Sequence, residues 1–165
     1  MRSGTQQDPT AARTPKEDLL VACPRSYHDF MAAAPQMQVE VLLIDDDEGL
    51  RNTMYNWLSQ MGMKVDVAAT GLHAIQKLRA NPSFHVVVSD IKMPGLNGLA
   101  TIKKFKDEVP AFKGKVIMMS GHASPEHIKE SKSLGAFAFL VKPFKPQDLF
   151  DKIVQAAGLP PTSPG

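Results

Sequence analysis

Four short apolar runs between residues 38 and 158 each finish in a polar group. Val39-Glu40-Val41-Leu42-Leu43-Ile44 runs into Asp45-Asp46-Asp47, and Phe84-His85-Val86-Val87-Val88-Ser89 runs into Asp90. Lys115-Val116-Ile117-Met118-Met119 ends in Ser120-Gly121, and Ala136-Phe137-Ala138-Phe139-Leu140-Val141 ends in Lys142-Pro143. Their shortness and bounded ends predict strands, and Lys64-Val65-Asp66-Val67-Ala68 makes one more. Between them, apolar positions recur at helical spacing. Leu50, Met54, Trp57, Leu58 and Met61 mark a first helix broken at Gly62, and Leu72, Ile75 and Leu78 a second stopped by Asn81-Pro82. Leu99, Ile102 and Phe105 mark a third. Ser124-Pro125 opens a fourth with a capping hydroxyl and a proline at its first position. Pro146 opens a fifth, with Leu149, Phe150, Ile153 and Val154 inward and Gly158 as its stop.

Five strands and five helices therefore alternate strictly, which predicts an α/β domain on a parallel sheet with right-handed crossovers. The third, fourth and fifth strand runs are near-continuously apolar, as strands covered on both faces are. In such sheets ligands bind beyond the carboxyl ends of the strands. The four polar groups fall at those ends.

Bulk properties narrow the function by exclusion. Composition is that of an ordinary globular protein, 43% hydrophobic and 22% charged. No apolar stretch approaches the roughly 20 residues of a membrane-spanning helix. A formal charge of +2 without a basic stripe and interleaved aromatics gives no nucleic-acid footprint; Lys103, Lys104, Lys106, Lys113 and Lys115 read as a solvated face. Cys23 is the single cysteine, so no disulfide forms within the chain. Lys16-Glu17-Asp18 stands where a secretory signal would need an apolar segment before Leu20-Val21-Ala22-Cys23. A cytoplasmic location is expected. Residues 1–37, with four prolines, cancelling charges and no sustained period, are expected to be a disordered or loosely docked extension. The domain is placed at 38–158, and 159–165 reads as a flexible tail.

The strand-end groups suit a divalent cation and a phosphoryl group. Magnesium takes oxygen ligands in octahedral geometry, and Asp45, Asp46 and Asp90 supply carboxylates. Crowding three acids is costly because like charges raise each other's pKa, so either a metal binds or one acid is protonated. Asp47 reads as the cap of the first helix. Asp90 is a third metal ligand or a nucleophile able to form an acyl phosphate; Lys142 adds a cation and Ser120 a hydroxyl donor. Nucleotide-loop and dinucleotide glycine motifs are absent. Asp45-Asp46-Asp47-Glu48-Gly49 lacks the glycine offset and closing glutamate of a calcium loop. The histidines (His28, His73, His85, His122, His127) show no metal-ligand spacing.

These residues resemble the receiver domain of bacterial two-component response regulators over about 39–157. The resemblance rests on Leu42-Leu43-Ile44-Asp45-Asp46-Asp47, on Val88-Ser89-Asp90-Ile91-Lys92-Met93-Pro94-Gly95-Leu96-Asn97-Gly98, on Met119-Ser120-Gly121-His122 and on Phe139-Leu140-Val141-Lys142-Pro143-Phe144, in that order. It implies a doubly wound, flavodoxin-like sheet in the order 2-1-3-4-5 with helices on both faces. It further implies Asp90 as phosphoacceptor, and a magnesium ion (manganese as an alternative) on Asp45, Asp46, Asp90 and the backbone carbonyl of Lys92. Ser120 and Lys142 would bind the phosphoryl group. Phe139 stands where the family has an aromatic switch residue, commonly tyrosine, and lacks that hydroxyl. Lys92 and His122 occupy the positions that tune phosphoryl lifetime. The implied protein is a phosphoacceptor rather than an enzyme, loaded by a sensor histidine kinase or a histidine phosphotransfer protein. It would contact a downstream protein through its fourth helix, fifth strand and fifth helix, as a single-domain regulator with no direct DNA or membrane binding. A phosphorylation-independent adaptor of the same fold is the alternative.

Overall fold

The computed structural model describes residues 38–160; the expectation for 1–37, and that for the tail 159–165 beyond residue 160, lie outside the described residues. The chain alternates β1 (Glu40–Ile44), α1 (Glu48–Gln60), β2 (Lys64–Ala68), α2 (Gly71–Ala80), β3 (Val86–Asp90), α3 (Gly98–Glu108), β4 (Lys115–Ser120), α4 (Pro125–Ser133), β5 (Ala138–Val141) and α5 (Pro146–Ala156). The strands form one sheet in the order β2-β1-β3-β4-β5, every pair parallel. Both the alternation and the order match expectation.

Local chemistry sets the helix starts. Asp47 Oδ1 accepts the Leu50 N–H at 2.9 Å, capping α1. Thr70, Asn97 and Ser124 cap α2, α3 and α4 in the same way. The fifth helix differs: Lys145 at its N-cap offers no acceptor, and the Asp148 carboxylate instead takes the Lys145 N–H at 3.2 Å. Gly62 and Gly158 sit at φ 81° and 76°, the left-handed conformation that ends α1 and α5 where the sequence places its stops.

Two apolar layers clothe the sheet. On one face Val41, Leu43, Val86, Val88 and Ile117 pack against Met54 and Leu58 of α1 and Leu149, Phe150, Ile153 and Val154 of α5. On the other, Leu42, Ile44, Val87 and Met118 pack against Ala74, Ile75 and Leu78 of α2 and Leu99, Ile102 and Phe105 of α3. Alternate residues of each central strand thus serve opposite layers, which is why those runs read as continuously apolar.

Two expectations are corrected. Leu72, one of the three apolar positions that mark α2 by their helical spacing, is 60% exposed; Gly71 and Ala74 take the inner positions beside Ile75 and Leu78. Thr101 and Leu96 press so close to Gly71 that a Cβ there would lie 2.1 Å from Thr101 Oγ1. The β5 run is likewise covered less fully than the central strands. It is an edge strand of four residues, Val141 at its end is 49% exposed, and α4 beside it buries only Ser131.

Candidate functional site

Register brings the strand-end groups together. Ile44 pairs with Ser89, Asp90 with Met119, and Ser120 with Val141. Asp45 is therefore level with Asp90, while Ser120 lies one residue further along and Lys142 two. Side chains alternate across a strand. Asp45 shares the parity of Leu43, Asp90 that of Val88 and Lys142 that of Leu140, all on the α1/α5 face. Ser120 shares the parity of Met118 and falls with Phe139 on the α2/α3 face. The candidate residues thus divide into an ionic group on one side of the sheet edge and a hydroxyl–aromatic pair on the other.

The ionic group is tightly made. Lys142 Nζ lies 2.8 Å from Asp45 Oδ2 and 3.4 Å from Asp90 Oδ2. Asp45 Oδ1 accepts the Asp47 N–H at 2.9 Å. Asp45 and Asp90 are buried and Asp46 is exposed. Oxygens of Asp45, Asp46 and Asp90 all lie within 4.8 Å of one another. The expected choice between a bound metal and a protonated acid was incomplete, because the Lys142 ammonium inserts between two of the acids and offsets their repulsion. Burial pushes the Asp90 carboxyl up from its usual value, with the Asp45 charge adding to the rise and Lys142 and the Lys92 N–H opposing it. Burial pulls the Lys142 ammonium down, but its hydrogen bond to Asp45 and the charges of Asp45 and Asp90 outweigh that and leave it raised. All three carboxylates are hard oxygen donors with Lys92 two residues beyond Asp90, a donor set that fits magnesium or manganese.

Backbone contacts aim these side chains. The α3 start folds back on β3, Gly98 N–H donating to the Ile91 carbonyl at 2.9 Å. A Cβ at Gly98 would sit 2.1 Å from the Asp90 carbonyl oxygen, so only glycine permits the approach. The Ile91 N–H donates to Met119 O, also at 2.9 Å, tying the segment to β4. Arg51, which the sequence reading did not single out, donates from Nη1 to the Asp45 carbonyl at 2.7 Å. Its only sequence signal is its place one turn into the helix that follows the acids.

On the other side, the buried Ser120 hydroxyl donates to the His122 carbonyl at 2.9 Å and accepts the His122 N–H at 3.1 Å. It is engaged with its own loop. Phe139 is half-buried against the α2/α3 layer. Lys92 and His122 are exposed at the rim, and Lys142-Pro143 is a cis peptide bond. Among the described residues no helix is long and apolar enough to cross a membrane.

Comparison with known proteins places this geometry. Residues 41–154 match the response regulator receiver domain. The chain is 31% identical over 121 residues to the chemotaxis protein CheY1 of Helicobacter pylori, covering 73% of this chain and 98% of that one. It is 35% identical over 127 residues to the C4-dicarboxylate transport transcriptional regulatory protein DctD of Rhizobium meliloti, where the match spans 77% of this chain but 25% of that protein. Among solved structures, chemotaxis protein CheY4 of Vibrio cholerae superposes with a TM-score of 0.68 at 30% identity, covering 72% of this chain and 98% of that chain. A CheY-like receiver domain protein from Methanospirillum hungatei gives 0.68 at 31%, covering 73% and 94%.

Proposed function

We propose, on the premise that the chain belongs to the response regulator receiver domain family, that it accepts a phosphoryl group on Asp90 and switches protein contacts in a two-component pathway. The observation that carries the reading is the convergence of Asp45, Asp46, Asp90 and Lys142 at one sheet edge. The donor is a phosphohistidine on a sensor kinase or a histidine phosphotransfer protein. A carboxylate oxygen of Asp90 forms the bond to phosphorus as the bond from phosphorus to the donor imidazole nitrogen breaks. The electron pair of that bond leaves on the imidazole.

Asp45, Asp46, Asp90 and the Lys92 carbonyl would hold magnesium or manganese, which when bound neutralises charge on the phosphoryl oxygens. Lys142, already between Asp45 and Asp90, offers its ammonium to the new phosphoryl oxygens. Phosphorylation adds about −1.5 to −2 charge and three acceptor oxygens. Ser120 then exchanges the His122 carbonyl for a phosphoryl oxygen, and the loop and Phe139 follow. Phe139 acts by packing alone, having no hydroxyl. Lys92 and His122 at the rim set how readily water reaches the acyl phosphate. The protein is read as a phosphoacceptor rather than an enzyme with an external substrate, acting in the cytoplasm. Output runs through α4, β5 and α5, where Phe137 and Val141 are exposed, toward a protein partner rather than DNA.

Backbone amide spectra test this. Acetyl phosphate with magnesium is expected to shift the amides of Ser120, Phe139 and Lys142 and of α4, β5 and α5 in the wild type. Asp90→Asn should respond to magnesium alone. Identical spectra with and without a phosphoryl donor, whether acetyl phosphate or a phosphorylated histidine protein that loads other receivers, would instead describe a constitutive adaptor.

A further inference from the structure

We infer that Arg51 is a positioning residue for the acidic pair, acting through the backbone carbonyl of Asp45 rather than through charge. The inference rests on the reading of Asp45, Asp46 and Asp90 as cation ligands. The last ladder bond of β1 toward β2 is Asp45 N–H to Ala68 O at 3.2 Å. Beyond it the chain leaves the sheet with Asp45 wholly buried, and a buried carbonyl there needs a donor. Arg51 Nη1 supplies one at 2.7 Å, from a half-buried side chain in the second turn of α1. No carboxylate of the described residues lies within ion-pair distance of Arg51.

The geometry gives that contact a specific consequence. The Asp45 carboxylate is already fixed, by the Asp47 N–H on one oxygen and Lys142 on the other. The exposed Asp46 side chain has no comparable tether: among the described residues it makes no hydrogen bond or ion pair. Its direction depends on the plane of the Asp45–Asp46 peptide, because a peptide unit is rigid and turns as a whole. Fixing the Asp45 carbonyl therefore fixes the frame from which Asp46 projects. Arg51 orders the second carboxylate without touching it.

Charge and positioning predict opposite signs, which makes the inference testable. If Arg51 acted only as a cation near three acids, removing it would tighten binding of another cation. If it orders Asp46, removing it loosens binding; outer-shell partners of metal ligands are typically worth about 10- to 100-fold in affinity. The experiment is a calorimetric magnesium titration of wild type, Arg51→Ala, Arg51→Met and Arg51→Gln without a phosphoryl donor, with urea melts to confirm folding. Arg51→Ala is expected to weaken magnesium about 10-fold. Arg51→Gln, neutral but still able to donate, should recover part of that. Unchanged or tighter binding in folded Arg51→Ala overturns the inference. If Arg51→Ala does not fold, Arg51→Met, which keeps the apolar stem but donates nothing, binding as tightly as wild type or tighter does the same. A wild type that binds no magnesium would instead refute the metal-site reading beneath it.

Discussion

At the residue scale, Lys142 and Asp90 are in tension, and each substitution exposes one side of it. Lys142 neutralises a carboxylate, Asp45, that has no exposure to solvent. Lys142→Met should cost about 1–3 kcal/mol in urea unfolding without metal, the penalty of a buried acceptor stripped of its partner. Magnesium should restore much of that loss by supplying another cation. Asp90 behaves oppositely. Its carboxyl is raised in the fold, chiefly by burial, so it favours the folded state only while protonated. That contribution is complete below its unfolded pKa of about 3.9 and is lost as pH rises through its higher folded value. In EDTA, Asp90→Asn should therefore melt above wild type at pH 7, and the two should converge as pH falls toward the ordinary carboxylate range. A gap that widens on acidification would contradict this. Asp45, Asp46, Asp90 and Lys142 were legible in the sequence because each stands within two residues of the end of an apolar run, and a parallel sheet collects such positions at one edge. Arg51 and the engagement of Ser120 with His122 were not. Both are bonds to backbone groups, which leave no pattern in side-chain type.

At the element scale, the helices divide between those that hold the layers together and one that rests lightly. Phe150 of α5 is fully buried, its ring edge-on to Trp57 of α1 at 5.8 Å between centroids. Phe150→Ala should cost about 3–5 kcal/mol, read by the urea midpoint of Trp57 fluorescence. The corrected face of α2 gives a paired test. Ile75→Ala should cost about 2–5 kcal/mol, while Leu72→Gln, at a solvent position, should stay within about 0.5 kcal/mol of wild type. Helical spacing could not separate these two, because Leu72 and Ile75 stand three apart. Only the tight approach of Thr101 and Leu96 to Gly71 shows which way the first turn faces. Strand count and type were readable from the runs, whereas the thin cover over β5 was not. An apolar edge strand and an apolar central strand look alike until α4 is seen to cover so little.

At the scale of the whole molecule, folding and cation binding are linked. The acids meet only when β1, β3 and their loops are assembled, so a cation that binds them favours the folded chain. Magnesium at about 100 times its dissociation constant should add about 2.7 kcal/mol to unfolding free energy, and EDTA should abolish the gain. The strand order 2-1-3-4-5 was not contained in the alternation of elements, which several parallel orders would satisfy; it came with the family resemblance. Intact mass decides whether Asp90 carries the phosphoryl group. After incubation with acetyl phosphate and magnesium, the wild type should gain one phosphoryl group that hydroxylamine removes, and Asp90→Asn should gain none. An equal gain in Asp90→Asn, or no gain in the wild type even from a phosphorylated histidine donor that loads other receivers, would contradict it.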